Sequence, residues 1–232
     1  MKYKTERFDT LASTNDYAKQ KRAEKENLIV IAKAQTGGRG TKGRSFSSAE
    51  GGLYLSVLTF YENFPASRAF EIMQNAAAAV CETLALCGLR PVIKWPNDIF
   101  VNGKKICGIL IENSFSGSLL SSSVVGIGLN VNNRLEKALS SIATSVWEQT
   151  GKTVETARIE RTLLDFFQKG VAEKYASYLG FIGEEVTLIV GEKQEKAALL
   201  GVDEAGNLLA ETKDGTRRFA AAEVSVRTGV EE

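Results

Sequence analysis

Residues 35–46 read Gln35-Thr36-Gly37-Gly38-Arg39-Gly40-Thr41-Lys42-Gly43-Arg44-Ser45-Phe46, with four glycines and three cations. They come after an apolar run, Leu28 to Ala34, that reads as a buried strand. Glycine has no Cβ and tolerates positive φ, so such a loop brings its backbone close to a ligand. Exposed N–H groups beside cations suit phosphate or carboxylate. The segment C-terminal to this loop decides the fold. Gly38, Gly40 and Gly43 spell the dinucleotide pattern G-x-G-x-x-G, with Glu62 roughly 20 residues further on. Gly38 to Ser45 also spell a P-loop with Arg44 in place of lysine. Either motif needs a helix opening at its last glycine, so that the helix N-terminus holds the phosphate. Here Ser45 to Gly52 is loop-like and Leu53 to Phe60 is β-rich, so no helix fits between them. On this stretch alone a solvated basic turn remains the plain alternative.

The rest of the composition narrows the chemistry. The chain has 232 residues, room for one large domain or a main domain with a small one. A net charge of +1 leaves no global field for nucleic acid, so any anion site is local. There is no histidine, which removes Ser-His-Asp triads and imidazole metal sites. Cys81, Cys87 and Cys107 have no metal-ligand spacing and read as buried thiols of a reducing compartment, the cytoplasm. Met1 to Thr10 is polar and charged, unlike a signal peptide. The apolar stretch Ala69 to Leu89 carries Glu71 and Glu82 and reads as a core helix, not a membrane span.

In chain order, Ser13 or Thr14 is a natural N-cap for a helical run to about Glu26. Strands are predicted over Leu28 to Gln35 and Gly52 to Phe60. Pro65 and Ser67 open a long helix whose stripe includes Ile72, Ala76, Val80 and Leu84, ended by Gly88. Its four alanines, 76–79, suggest close packing on a sheet. Arg90 to Trp95 is a strand cut by Pro96. Asn102-Gly103 marks a tight hairpin, and a second hairpin turns near Ser114 to Ser118. Gly126-Ile127-Gly128 lies inside the returning strand, where glycines allow a ligand to lie against the sheet. Glu155 to about Tyr178 is amphipathic. After a linker, Gly180 to Gly183, five short strands are predicted: 185–190, 196–202, 206–212, 216–222 and 224–227. They suggest a small barrel of SH3-like size.

Four polar clusters stand at element ends: Ser13-Thr14-Asn15, Gln35 to Phe46, Lys94 to Asp98 with Lys104-Lys105, and Gly126 to Asn132. Each alone has a structural reading as a cap, a turn or a solvated edge. Together, and in this order, Ser-Thr-Asn, Gln-Thr-Gly-Gly-Arg-Gly, Lys-Trp-Pro-Asn-Asp, Lys105 with Gly-Ile-Leu-Ile-Glu at 108–112, and Gly-Ile-Gly-Leu-Asn-Val at 126–131 resemble a biotin protein ligase. The resemblance covers nearly the whole chain. It implies an α+β fold. A mixed central β-sheet with flanking helices, like the class II synthetases and biotin/lipoate ligases, fills residues 1–180. A small C-terminal SH3-like β-barrel fills residues 181–232.

The resemblance also implies the reaction: biotinyl-5′-AMP forms from biotin and ATP, and biotin then passes to one lysine of a biotin carboxyl carrier protein. Such chemistry is mainly positioning and electrostatics, so a chain without histidine can perform it. By motif position, Ser13, Thr14, Asn15 and Gln35 would bind the biotin ring, and Gly38, Arg39 and Gly108 would lie along biotin. Lys105 would sit between carboxylate and phosphate. Arg39, Arg44, Asn97, Lys105 and Asn130 would hold the ATP side, and Phe46 would pack near adenine. Asp98 would position or deprotonate the acceptor amine. Lys105, Asp98 and Arg39 are thus the implied catalytic set. Mg2+ would screen the triphosphate through few protein ligands; which residues ligate it is left open. Members of the family often dimerise through sheet edges, so a homodimer is one expectation, with monomer or dimer left open. With Ser-Thr-Asn starting at residue 13, no DNA-binding domain and no operator binding are expected. A lipoate or octanoyl ligase, and a degenerate biotin-binding regulatory module, stay open as alternatives.

One position departs from the family pattern. Thr41 stands where these ligases usually carry an arginine that orders the loop over the adenylate. Faster escape of biotinyl-adenylate is therefore expected, with Lys42 as a partial substitute. Thr41→Arg should slow adenylate release in a filter or stopped-flow assay; an unchanged rate would remove the idea.

Overall fold

The structure is a computed structural model that describes residues 1–221 and 223–227, without the Lys42 side chain. The substitute role expected for Lys42, and the end of the strand expected to reach Ala222, therefore lie outside the described residues.

The large sheet has seven strands in the order β1-β2-β3-β7-β6-β5-β4. They are β1 (Lys4–Leu11), β2 (Leu28–Gln35), β3 (Leu53–Pro65), β4 (Pro91–Lys94), β5 (Asp98–Val101), β6 (Lys104–Ser116) and β7 (Leu119–Leu129). Only β1 and β2 run parallel; the other neighbours are antiparallel, making a mixed sheet. The apolar runs of β2 and β3 are buried on both faces, as continuous rather than alternating hydrophobicity requires. Asn102 and Gly103 both adopt positive φ, 49° and 77°, the backbone that a two-residue turn between twisted strands demands.

Helix α1 (Thr14–Gln20) is capped by Ser13, whose Oγ accepts from the Asp16 N–H at 3.3 Å. Helix α2 (Phe70–Leu86) buries Ala76 to Ala79 completely and packs on β4, β5 and β6. Alanine there keeps the helix close to the sheet. Helix α3 (Val146–Thr150) is one short piece, and α4 (Thr156–Lys169) lies against α2.

A second sheet holds β8 (Glu185–Val190), β9 (Lys193–Val202), β10 (Leu208–Thr212), β11 (Gly215–Phe219) and β12 (Val224–Arg227), ordered β11-β10-β9-β8-β12. Its antiparallel pattern agrees with an SH3-like fold. The expected barrel is corrected in one respect: among the described residues it does not close, because the edge strands β11 and β12 do not pair. Trp95 joins the two sheets. Its indole is 4% exposed, packs with Val186, Leu188 and Phe219, and donates from Nε1 to Gly206 O at 3.0 Å.

Other expectations change in detail. β1 was hidden in the sequence because its charged, half-exposed residues show no apolar alternation. It is an edge strand, anchored by Arg7 donating to Glu160 at 2.8 and 2.6 Å. The helix expected from Pro65 starts at Phe70, because β3 continues to Pro65. The amphipathic stretch 155–178 is broken: Gly170, at φ 79°, ends α4, and α5 (Tyr175–Tyr178) resumes after a 3-10 turn.

Gly206 tests the junction. It has φ +84°, and a Cβ there would run into the Phe70 ring. Gly206→Ala should lower stability by about 2 kcal/mol or more, from left-handed strain plus overpacking. Urea unfolding measures it, and an unchanged midpoint would contradict this reading of the contact.

Candidate active site

The site is a pocket on one face of the large sheet, where α1, the glycine loop and the starts of β5 and β6 meet β7. It has a neutral polar end. Ser13, Thr14 and Asn15 are all buried, and Thr14 and Asn15 belong to one hydrogen-bond net through Ser56. The Thr14 N–H and Oγ1 donate to Gln35 Oε1 at 2.8 and 3.1 Å, and Gln35 Nε2 donates to Ser48 Oγ at 3.0 Å. Ser56, fully buried on β3, donates to Asn15 Oδ1 at 2.6 Å and lies 2.8 Å from Thr14 Oγ1. Asn15 Nδ2 donates to Glu112 Oε2 at 2.9 Å and Leu110 O at 3.3 Å. Its amide is thus spent on the scaffold, pinning α1 to β3 and β6.

The other end is cationic. Arg39, Arg44 and Lys105 line the pocket, and Asp98 is the one carboxylate among its described lining residues. Lys105 Nζ pairs with Asp98 Oδ1 at 2.7 Å and lies 5.9 Å from the centre of the Phe46 ring. Its backbone is held by residues that the sequence did not single out: Lys105 N–H donates to Ile142 O and Lys105 O accepts from Thr144 N–H, both at 2.9 Å. Arg39 pairs with Asp16. Thr41 lies on a 3-10 turn, Thr41–Gly43, and also lines the pocket.

Glycines form the wall between the ends. The expectation that Gly126 and Gly128 give a ligand room is refined. Both line the pocket, but each first clears a side chain of the protein itself. A Cβ at Gly126 would collide with Asn15 Oδ1, and one at Gly128 would come within 2.7 Å of the Phe46 ring. Gly108 is similar, with Phe46 and Lys105 each within 3.3 Å of such a Cβ. Gly38 is not among the lining residues. It packs its own loop, since a Cβ would meet Phe46 O and Ser48 Oγ at 2.5 Å.

Asn97 lines the pocket while its Nδ2 donates to Ile109 O at 2.8 Å. Asn130 faces an adjoining cleft with Phe46, Phe100, Leu139 and Ile142. Its amide donates to Thr144 O at 3.0 Å and accepts from Asn133 at 2.9 Å. Ser56 is the residue whose signal was present and overlooked: a hydroxyl inside the apolar run Leu53 to Leu58.

A mixed-sheet α+β domain with a polar end, a glycine wall and a cationic end defines a site for an anionic small molecule. Comparison with known proteins identifies the group. The chain belongs to the biotin/lipoate A/B protein ligase family, whose model matches residues 8–130; the biotin protein ligase C-terminal domain matches residues 181–227. It is 32% identical over 221 residues to the bifunctional ligase/repressor BirA of Bacillus spizizenii, covering 87% of this chain and 66% of that protein. It is 30% identical to the biotin–[acetyl-CoA-carboxylase] ligase of Paracoccus denitrificans, covering 84% of this chain and 88% of that one. The biotin protein ligase of Aquifex aeolicus, solved in complex with biotin and ATP, superposes with a TM-score of 0.78 at 28% identity, covering 97% of this chain and 99% of that one.

The glycine wall yields a direct test. Gly126→Ala should displace Asn15 and cost about 1–3 kcal/mol, as overpacking of a filled interior does. A thermal or urea midpoint equal to the parent's would contradict it.

Proposed function

We propose that the chain is an ATP-dependent biotin–protein ligase. It condenses biotin with ATP to biotinyl-5′-AMP and then transfers biotin to one lysine of a biotin carboxyl carrier protein. One observation carries the reading: Lys105, Arg39 and Arg44 line a single pocket together with the neutral, hydrogen-bonding Thr14 and Gln35. Biotin has that polarity, a ureido ring at one end and a carboxylate at the other.

In the first step a biotin carboxylate oxygen attacks the α-phosphorus and pyrophosphate leaves. The two reactants repel each other. Lys105, at the meeting point of the pocket and the adjoining cleft, shields that repulsion and stabilises charge building on the phosphate. Arg39 and Arg44 add positive charge on the loop side. Thr14 and Gln35 orient the ring, so that the carboxylate is presented at a fixed distance. Phe46 offers a ring face to adenine beside the apolar cleft residues Phe100, Leu139 and Ile142.

In the second step the acceptor amine attacks the biotinyl carbonyl and AMP leaves. Asp98, within 2.7 Å of Lys105, is the carboxylate available to receive the incoming ammonium and orient it. Mg2+, when bound with the triphosphate, would screen its charge through the phosphate oxygens and few protein ligands. Three free thiols, all pushed up in pKa by burial, suit a reducing cytoplasm. No helix among the described residues is long and apolar enough to cross a membrane.

The polar end favours biotin over lipoate. A ureido ring can join the hydrogen-bond net around Thr14 and Gln35 as donor and acceptor, whereas a dithiolane ring offers only weak sulfur acceptors. The decisive assay mixes the protein with biotin, MgATP and an apo carrier domain and tracks carrier mass. One biotin should be gained, and Lys105→Ala should lose at least about 100-fold in rate, as removal of one electrostatic stabiliser typically does. Tight biotin binding without mass gain would instead favour a regulatory module.

A further inference from the structure

The ion pair between Arg39 and Asp16 has no part in the chemistry above. Asp16 opens the first turn of α1, directly after Ser13-Thr14-Asn15. It also takes Lys19 Nζ at 2.9 Å. Lys19 Nζ continues to Glu112 Oε1 at 2.8 Å, and Glu112 Oε2 accepts from Asn15 Nδ2 at 2.9 Å. Charges of alternating sign therefore run from β6 across α1 to the glycine loop. Burial alone would raise the Glu112 carboxyl, but the hydrogen bonds from Lys19 and Asn15 outweigh it and hold it below its ordinary value. The body end of the chain is thus firmly ionised.

The loop end needs such an anchor. At its base the loop is tied by Gly37 N–H to Ala12 O at 2.8 Å, and by Phe46 N–H to Gly38 O at 2.9 Å. Between them the crown bonds to itself, through Gly40 N–H to Arg44 O at 2.7 Å and a bridge between Arg39 and Ser45. Glycines make that crown costly to order. Arg39 reaches out of it to α1. A guanidinium has five N–H donors, and Asp16 engages Nη2. Donors remain for an anion in the pocket that Arg39 lines. Asp16 therefore aims the guanidinium without consuming it.

We propose that Asp16 is a positioning residue: it tethers the glycine loop to α1 through Arg39 and thereby sets how long the acyl-adenylate is retained. This rests on the ligase reading. Thr41 contributes no charge in the crown, and among the described residues this tether links the loop to the body of the fold by charge.

The test compares wild type with Asp16→Asn and Asp16→Glu. In ligand-free protein, hydrogen exchange at residues 38–45 should be faster in Asp16→Asn and near wild type in Asp16→Glu. Release of preformed biotinyl-adenylate should be about two- to fivefold faster in Asp16→Asn, the range of a partly exposed ion pair, with single-turnover adenylate synthesis little changed. Raising salt should speed release from wild type and leave Asp16→Asn much less affected. Slower release from Asp16→Asn would mean that Asp16 competes with the ligand for Arg39, and would overturn the proposal. So would equal exchange or an equal salt response. A wild type that made no adenylate would overturn the ligase reading instead, and the exchange result would still decide the tether.

Discussion

In the proposed reaction two anions have to be held side by side by a chain whose net charge is +1. Their repulsion is the constraint on which the site depends. Positive charge has to be collected locally, and every cation needs a backbone element to hold it and a counter-charge while it waits. Lys105 stands at the start of β6, fixed by the main chain at residues 142–144 and paired with Asp98. Arg39 and Arg44 ride on the glycine loop, and Arg39 waits on Asp16.

Clearance is the second requirement, and glycine meets it on rigid strands as well as in the flexible loop. Gly126 makes room for Asn15, and Gly128 and Gly108 make room for Phe46. The sheet thus draws the helix α1 cap and the loop's aromatic end against its face. The same residues shape the fold and the pocket. Trp95 extends the pattern: it sits one residue from a strand that leads into the site, yet its indole seals the junction with the C-terminal sheet.

Much of this was legible in the sequence. The β-rich run after the glycine loop excluded helix-dependent phosphate motifs, and the Asn102-Gly103 turn announced its hairpin. Each of the polar clusters at 13–15, 35–46, 94–98 with 104–105, and 126–132 sends residues to one pocket or the cleft beside it, among them Asn97, Asp98, Lys105 and Asn130, while Lys94, Lys104 and Asn132 line neither. The parts that stayed hidden have physical causes. The β1 edge strand shows no apolar alternation because most of it faces water. Gly170 looks like an interruption in an amphipathic run and in fact ends a helix. Ser56 and residues 142–144 act through tertiary hydrogen bonds, which leave no periodicity in the chain. Asn15 and Asn130 carry the family's motif, but here their amides are engaged with the scaffold.

The central claim is that one pocket activates biotin's carboxylate with ATP. Pyrophosphate release on rapid mixing of the protein and MgATP with either biotin or lipoate tests it without a carrier protein. The account predicts a burst of about one pyrophosphate per site with biotin, as an adenylate that stays bound requires, and none with lipoate. No burst with biotin, or a preference for lipoate, would contradict it.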